Sequence, residues 1–166
     1  MGKMNITAKD TIIAIIENKN GARRVYRTSN LVTTEGDKAY AYKVCGQSTD
    51  FDDKPAIRLG TSSDDPTKDD SDVHTYLDGS GKEIDDGYPI ADSSDEDDPD
   101  RGENVVTWKI SYNTGDIVTD HLRECAIVDK KDDPSKALNR FVWDDDIKLT
   151  KDDKLTVYVN HEFKGS

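Results

Sequence analysis

Histidine and cysteine are rare in this chain, and no apolar run is long. The three histidines, His74, His121 and His161, lie far apart, and none has Cys, Asp or Glu at the spacing of a zinc site. His161, near a strand end, is expected at the surface or rim. His74 and His121 lie close to Asp72 and Asp120 and read as solvated pairs at turns. No Gly-x-Ser-x-Gly elbow occurs, and no Cys–His couple has a suggestive spacing. Gly79-Ser80-Gly81 and Gly60-Thr61 lack the strand–loop–helix frame and the lysine of a phosphate-binding loop. Paired carboxylates could serve glycoside hydrolysis. Among thirty-five acids some pair always comes close, so that pattern carries no information. No catalytic residue and no cofactor is assigned, and the chain is not expected to be an enzyme. The two cysteines, Cys45 and Cys125, do not make a disulfide scaffold. Their neighbours suggest buried free thiols, and a single bridge between them stays open. No apolar stretch approaches the roughly 18 residues of a membrane span. Met1 to Thr11 lacks the apolar core of a secretion signal, so the location is expected to come from elsewhere, such as packaging into a particle.

Acidic charge is abundant. Thirty-five Asp and Glu face 23 Lys and Arg, for a formal charge of -12 and a pI near 4.6. Such a surface repels phosphate backbones and anionic membranes, so neither nucleic acid nor membrane is an expected partner. Self-repulsion strains the compact state, and salt relieves it, since the Debye length falls to about 3 Å at 1 M. The composition suits a high-salt, halophilic setting; an ordinary acidic surface is the plainer alternative. If salt adaptation is right, chemical stability rises between about 0.1 M and 2 M KCl. A flat response in a denaturant series would rule it out.

The 166 residues fit one domain, and with 33% hydrophobic residues its core must be economical. Thr11 to Glu17 is short and Ile-rich, and Asn20-Gly21 is a hairpin-turn signal ahead of a polar strand at 22–28. An N-terminal hairpin is expected, with a helix over 8–17 as the competing assignment. The spacing predicts one helix over Thr34 to Cys45, capped by Thr34 and stopped by Gly46. A short strand, 55–59, precedes a long excursion from Ser62 to Asn104 that holds sixteen acids against Lys68, Lys82 and Arg101. Val73, Tyr76 and Leu77, then Tyr88, Pro89 and Ile90, are its expected anchors. Val106, Trp108, Ile110 and Tyr112 alternate as one face of a half-buried strand. Strands follow at 122–129, where imperfect alternation suggests a bulge or an edge, at 137–143 and at 154–163. The fold class expected is mainly β: an antiparallel β-sandwich with one short α-helix, an N-terminal hairpin and a long acidic loop. Residues 1–29 form the hairpin or extension, and 30–166 the sandwich domain with an acidic insertion at about 78–104. The hairpin's second strand is poor in apolar residues, so the hairpin is expected to project and pair with another chain.

Within the insertion Asp92, Asp95, Asp97, Asp98 and Asp100 could gather around a hard cation. The glycine and final glutamate of a calcium loop are not at the required places. Asp95, Asp97, Asp98 and Asp100 are therefore candidates only for loosely held Ca²⁺, Mg²⁺ or Na⁺, beside the plain alternative of a solvated loop. Trp108, Trp143, Tyr112 and Tyr158 belong mostly to the core, with one or two left to anchor a neighbour.

Several pieces then recur in a known order. Asn30-Leu31-Val32-Thr33-Thr34-Glu35-Gly36 enters the helix. Ile57-Arg58-Leu59-Gly60-Thr61 follows, with Pro66, Ser71-Asp72 and Leu77. Then come Val106 to Tyr112, Leu122 to Asp129 around Glu124, Leu138-Asn139-Arg140-Phe141, and Lys148 to Phe163. This series, over about 30–163, resembles small virion proteins of tailed phages and tailed archaeal viruses, found in tails, baseplates, fibre attachments and head decorations. The chain departs from that pattern at Cys125-Ala126, at Ser62 in place of a second glycine, and in the length of the acidic insertion. The resemblance implies a structural role in the virion, in symmetric copies, with copies of itself and other virion proteins as partners. A tail, baseplate or fibre-attachment subunit comes first. A capsid decoration or turret protein, and a carbohydrate or receptor-binding module, are the alternatives. The acidic composition would then point to the virus of a halophilic host. The motif residues Gly60, Thr61, Pro66, Trp108, Glu124 and Arg140 are expected to be architectural. Gly60 would sit at a turn, Glu124 would satisfy backbone donors or pair with Arg140, and Trp108 would lie in the core.

Overall fold

The Ile-rich run near the N-terminus is a strand because both of its faces are covered. Ile12, Ala14 and Ile16 join the main hydrophobic cluster, while Ile13 and Ile15 pack with Tyr158 on the opposite face. β-branched side chains fill such a doubly covered position well. The computed structural model describes residues 6–29 and 31–165, with side chains from Asp10 to Phe163; Met1 to Asn5, Asn30 at the head of the motif above, and Ser166 lie outside the described residues. The elements are β1 (Ile6–Glu17), β2 (Arg23–Ser29), β3 (Leu31–Val32), α1 (Thr34–Val44), β4 (Ala56–Gly60), β5 (Lys82–Glu83), β6 (Ile90–Ala91), β7 (Val105–Tyr112), β8 (Thr119–Val128), β9 (Ala137–Leu149) and β10 (Lys154–Gly165).

They form two antiparallel sheets. One has the order β2-β1-β10-β7-β6, the other β3-β9-β8-β4-β5. Side chains of both meet in one hydrophobic cluster: Ile12, Trp108 and Val157 come from the first, and Ile57, Ile127 and Phe141 from the second. Gly21, at φ +80°, closes the β1–β2 turn, with Asn18 Oδ1 accepting from the amides of Asn20 and Ala22. The hairpin is not set apart as a projecting arm. β1 lies inside its sheet and pairs with β10 from Ile6 opposite Gly165 to Glu17 opposite Lys154.

The helix is capped one residue earlier than the spacing predicts. Thr33 Oγ1 accepts from Gly36 N at 2.9 Å and donates to Ala137 O at 2.5 Å, so the cap also ties α1 to β9. A Cβ on Gly36 would lie 2.0 Å from Leu138 O; the glycine is there to let helix and strand approach. The irregular alternation of β8 is a bulge and not an edge. β8 lies between β9 and β4, its register shifts next to Leu122 and Ile127, and Asn139 Oδ1 accepts from Ile127 N. Cys125 is buried as expected, whereas Cys45, at the end of α1, is exposed; both are free thiols.

The acidic excursion is largely exposed, yet it is anchored along two sheet edges, with the expected anchors Val73, Tyr76 and Leu77 packed against the core. Its first half lies along the open edge of β4. Leu77 N donates to Leu59 O at 2.9 Å, Thr61 N to Thr75 O at 2.9 Å, and Ile84 N to Pro55 O at 3.1 Å. Its second half lies along the open edge of β7, with Asp85 N on Lys109 O, Ser111 N on Asp85 Oδ1, and β6 pairing Ile90 and Ala91 with Thr107 and Val106. Unpaired sheet edges are templates for wrong pairing, and here one segment covers an edge of each sheet. Leu77 and Ile84 pack on the core, but the expected anchor Ile90 is exposed.

Candidate functional site

Three groupings of polar or exposed residues are candidates for function. The first contains the motif residues. Glu124 is fully buried on β8 and accepts from four donors. Its Oε1 takes the amides of Thr75 (2.7 Å) and Ser62 (3.1 Å), and its Oε2 takes the amide of His74 (2.9 Å) and Arg140 Nε (2.8 Å), with Arg140 Nη2 in ion-pair contact with Oε2 at 2.8 Å. Both roles expected of Glu124 are therefore present. Arg140, also fully buried, reaches Asp70 Oδ2 through Nη1 at 3.3 Å. His74 bridges Asp70 (2.9 Å) and Asp64 (3.2 Å), not Asp72; Asp72 instead binds Arg58. Gly60 is not at a turn. It lies at the end of β4, where a Cβ would meet Glu124 Oε1 at 2.3 Å and Thr75 O at 2.4 Å. Thr61 follows it on the same edge, and Pro66 is half-buried in the loop leading to Asp70. The network pins residues 61–75 to the second sheet, and its centre is closed to solvent.

The second grouping is a polar chain between the sheets and the helix. Trp108 Nε1 donates to the Tyr40 hydroxyl at 3.0 Å, and that hydroxyl bonds His161 Nδ1. His161 is fully buried, not at the surface, and burial pushes its imidazole down to about 3, which favours the neutral ring. Its Nε2 lies 4.0 Å from Asp10 Oδ1. Burial first, and then the charge of Asp37, push Asp10 up to about 7 from 3.8. The folded state thus holds a proton that the unfolded chain releases above about pH 4. Stability contributed through Asp10 falls as pH rises from about 4 to about 7. His74 acts in the same sense, because its hydrogen bond to Asp70 raises its pKa; its contribution is present below 6.5 and lost above the raised value. Asp10→Asn is expected to flatten the decline and to gain on the parent chain between about pH 5 and 8 in urea unfolding. Parallel pH profiles for the two would contradict the assignment.

The acidic run does not converge on a point. Asp95 Oδ2 accepts from Lys109 (2.7 Å) and Tyr158 (2.8 Å), Asp97 pairs with Arg23 (3.1 Å), Asp98 Oδ1 accepts from Asn160 (3.0 Å), and Asp100 pairs with Arg27 (3.1 Å). These partners stand on β2, β7 and β10, so the carboxylates fasten the loop across the face of the first sheet turned away from the shared cluster. Burial first, and then Asp100 and Asp95, push the Asp98 carboxyl up. Among the described residues no set of three or more His, Cys, Asp or Glu could hold a metal ion.

The third grouping is an open groove of about 840 Å³ between α1, the 49–55 loop and the 83–91 segment. Trp108, Phe51 and Leu138 form its buried floor, while Val44 and Ile90, 86% and 44% exposed, stand on its walls. Asp53, Glu83 and Asp86 on its rim are exposed, whereas Asp52 is engaged by Lys43 at 2.6 Å. No motif in the sequence indicates this groove, because its walls come from three separated segments. Trp108, expected in the core, does lie there, with one edge on the groove. Among the described residues no helix is long and apolar enough to cross a membrane. Comparison with known proteins finds no match among family models, curated proteins or solved structures.

Proposed function

We propose that the chain is a non-catalytic structural protein of a virion and that the groove beside α1 is the surface through which it is held in the assembly. The observation that carries the contact role is the pair of exposed aliphatic walls, Val44 and Ile90, over an apolar floor, beside the β4 and β7 edges that the 62–104 segment covers. The virion setting rests on the ordered resemblance over 30–163, with a tail, baseplate or fibre-attachment position first and a capsid decoration second. In this proposal the two sheets form a β-sandwich, and the acidic surface serves a halophilic environment. The partners are other virion proteins and further copies of the chain, without nucleic acid, and any Ca²⁺, Mg²⁺ or Na⁺ is loosely held. Quantitative mass spectrometry of purified particles tests the setting. A fixed copy number per particle is expected, and absence from particles would remove it.

A carbohydrate-binding module is the second proposal, favoured by the aromatic residues Tyr40, Phe51, Tyr88, Trp108 and Phe163 that line the groove. Sugar rings stack on open aromatic faces. Phe51 and Trp108 are only 5% and 4% exposed, and the Trp108 donor is already engaged by Tyr40. Tyr40, Tyr88 and Phe163 are half-buried, and the exposed large apolar side chains of the lining are the aliphatic Val44 and Ile90, which favours a protein segment over a sugar.

A further inference from the structure

We infer that the groove receives a segment of a partner protein that carries an apolar anchor flanked by lysine or arginine. This deepens the proposal that the groove is the contact surface and rests on it. The apolar half follows from the floor of Trp108, Phe51 and Leu138 and from the exposed side chains of Val44 and Ile90, which lose water only when something apolar covers them. The basic half follows from charge complementarity. The exposed rim acids Asp53, Glu83 and Asp86 make no side-chain hydrogen bond or ion pair with the described residues, and Lys54 is the rim's exposed counter-charge. A basic flank meets that excess of negative charge directly. A second copy of this chain is the poorer occupant, because each copy carries a formal charge of -12. A sugar lacks the aliphatic anchor that the walls fit.

Fluorescence polarisation with the full chain and three fluorescein-labelled heptapeptides tests this. One peptide has a Leu-Phe-Leu core between lysine pairs, the second the same core between glutamate pairs, and the third a Ser-Gly-Ser core between lysine pairs. The first is expected to bind at least about ten-fold more tightly than either other, and to weaken as salt rises. Ile90→Asp, at a position 44% exposed, is expected to weaken it by about ten-fold or more while circular dichroism of the variant matches the parent chain. The triple change Asp53→Lys, Glu83→Lys and Asp86→Lys is expected to transfer preference to the glutamate-flanked peptide. Equal binding of the Ser-Gly-Ser peptide would reduce the effect to general attraction by an acidic protein and overturn the inference. So would an unchanged Ile90→Asp, or indifference to the sign of the flanks. Failure here leaves the particle copy number untouched, and absence from particles leaves the peptide result standing, so the two claims fail separately.

Discussion

Glu124→Ala is expected to lower folding stability by about 3–5 kcal/mol, as measured by the urea midpoint at constant slope. The substitution leaves the Arg140 guanidinium buried with only Asp70 as an acid partner, and it strips the amides of Ser62, His74 and Thr75 of their acceptor. A buried charge without its partner and buried donors without acceptors are each costly. A discriminating control follows from the same geometry. Buried ion pairs can often be replaced by apolar residues of similar volume at little cost. Here the double change Glu124→Leu with Arg140→Met should recover only part of the loss, because the three amides stay unsatisfied. Full recovery would show that the pair matters and the backbone anchoring does not. A loss below about 1 kcal/mol for Glu124→Ala would remove the network from its place as the clamp of residues 61–75.

Phe141→Ala is expected to cost a similar amount, about 3–5 kcal/mol, by a different route. Phe141 is fully buried on β9 in the cluster that both sheets share, with its ring set edge-on to Trp143 at 5.0 Å between centroids. The variant loses the transfer free energy of the ring and leaves a cavity between sheets that cannot close without moving a strand. It also loses the edge-to-face contact, worth about 0.5–1.5 kcal/mol in other proteins. Phe141→Leu fills most of the space and should cost distinctly less. Loss of the near-ultraviolet signal of Trp143 in the alanine variant, with its β content kept, would accompany the loss of packing. Equal midpoints for Phe141→Ala and the parent chain would mean that the sheets do not depend on this contact.

The alternating strands were legible in the sequence where one face is apolar and the other polar, as from Val106 to Tyr112. The glutamate of β8 and the arginine of β9 were legible as partners because a buried charge needs one. His161 had a signal that its polarity concealed: it shares the alternating face of Leu155, Val157 and Val159, all of which are buried. The cap was ambiguous because Thr33 and Thr34 are adjacent and chemically alike. Cys45 was misplaced because the last turn of α1 faces solvent, which helical spacing does not disclose. The excursion misled most. A run of acids reads as solvated, and its cationic and hydroxyl partners, Arg23, Arg27, Lys109 and Tyr158, are remote in sequence. The groove was illegible for the same reason, since its walls meet only after α1 docks on β9 and the 83–91 segment folds against β7.

The acid-rich segment is a fixed part of the fold that covers an edge of each sheet and leaves the groove open. Native-state hydrogen exchange reads this most directly, amide by amide. The amides of Thr61, Leu77, Ile84 and Asp85, which donate to Thr75, Leu59, Pro55 and Lys109, should exchange as slowly as those in the centre of β10. Exchange of those four at the rate of an unstructured chain, while β10 stays protected, would contradict the account.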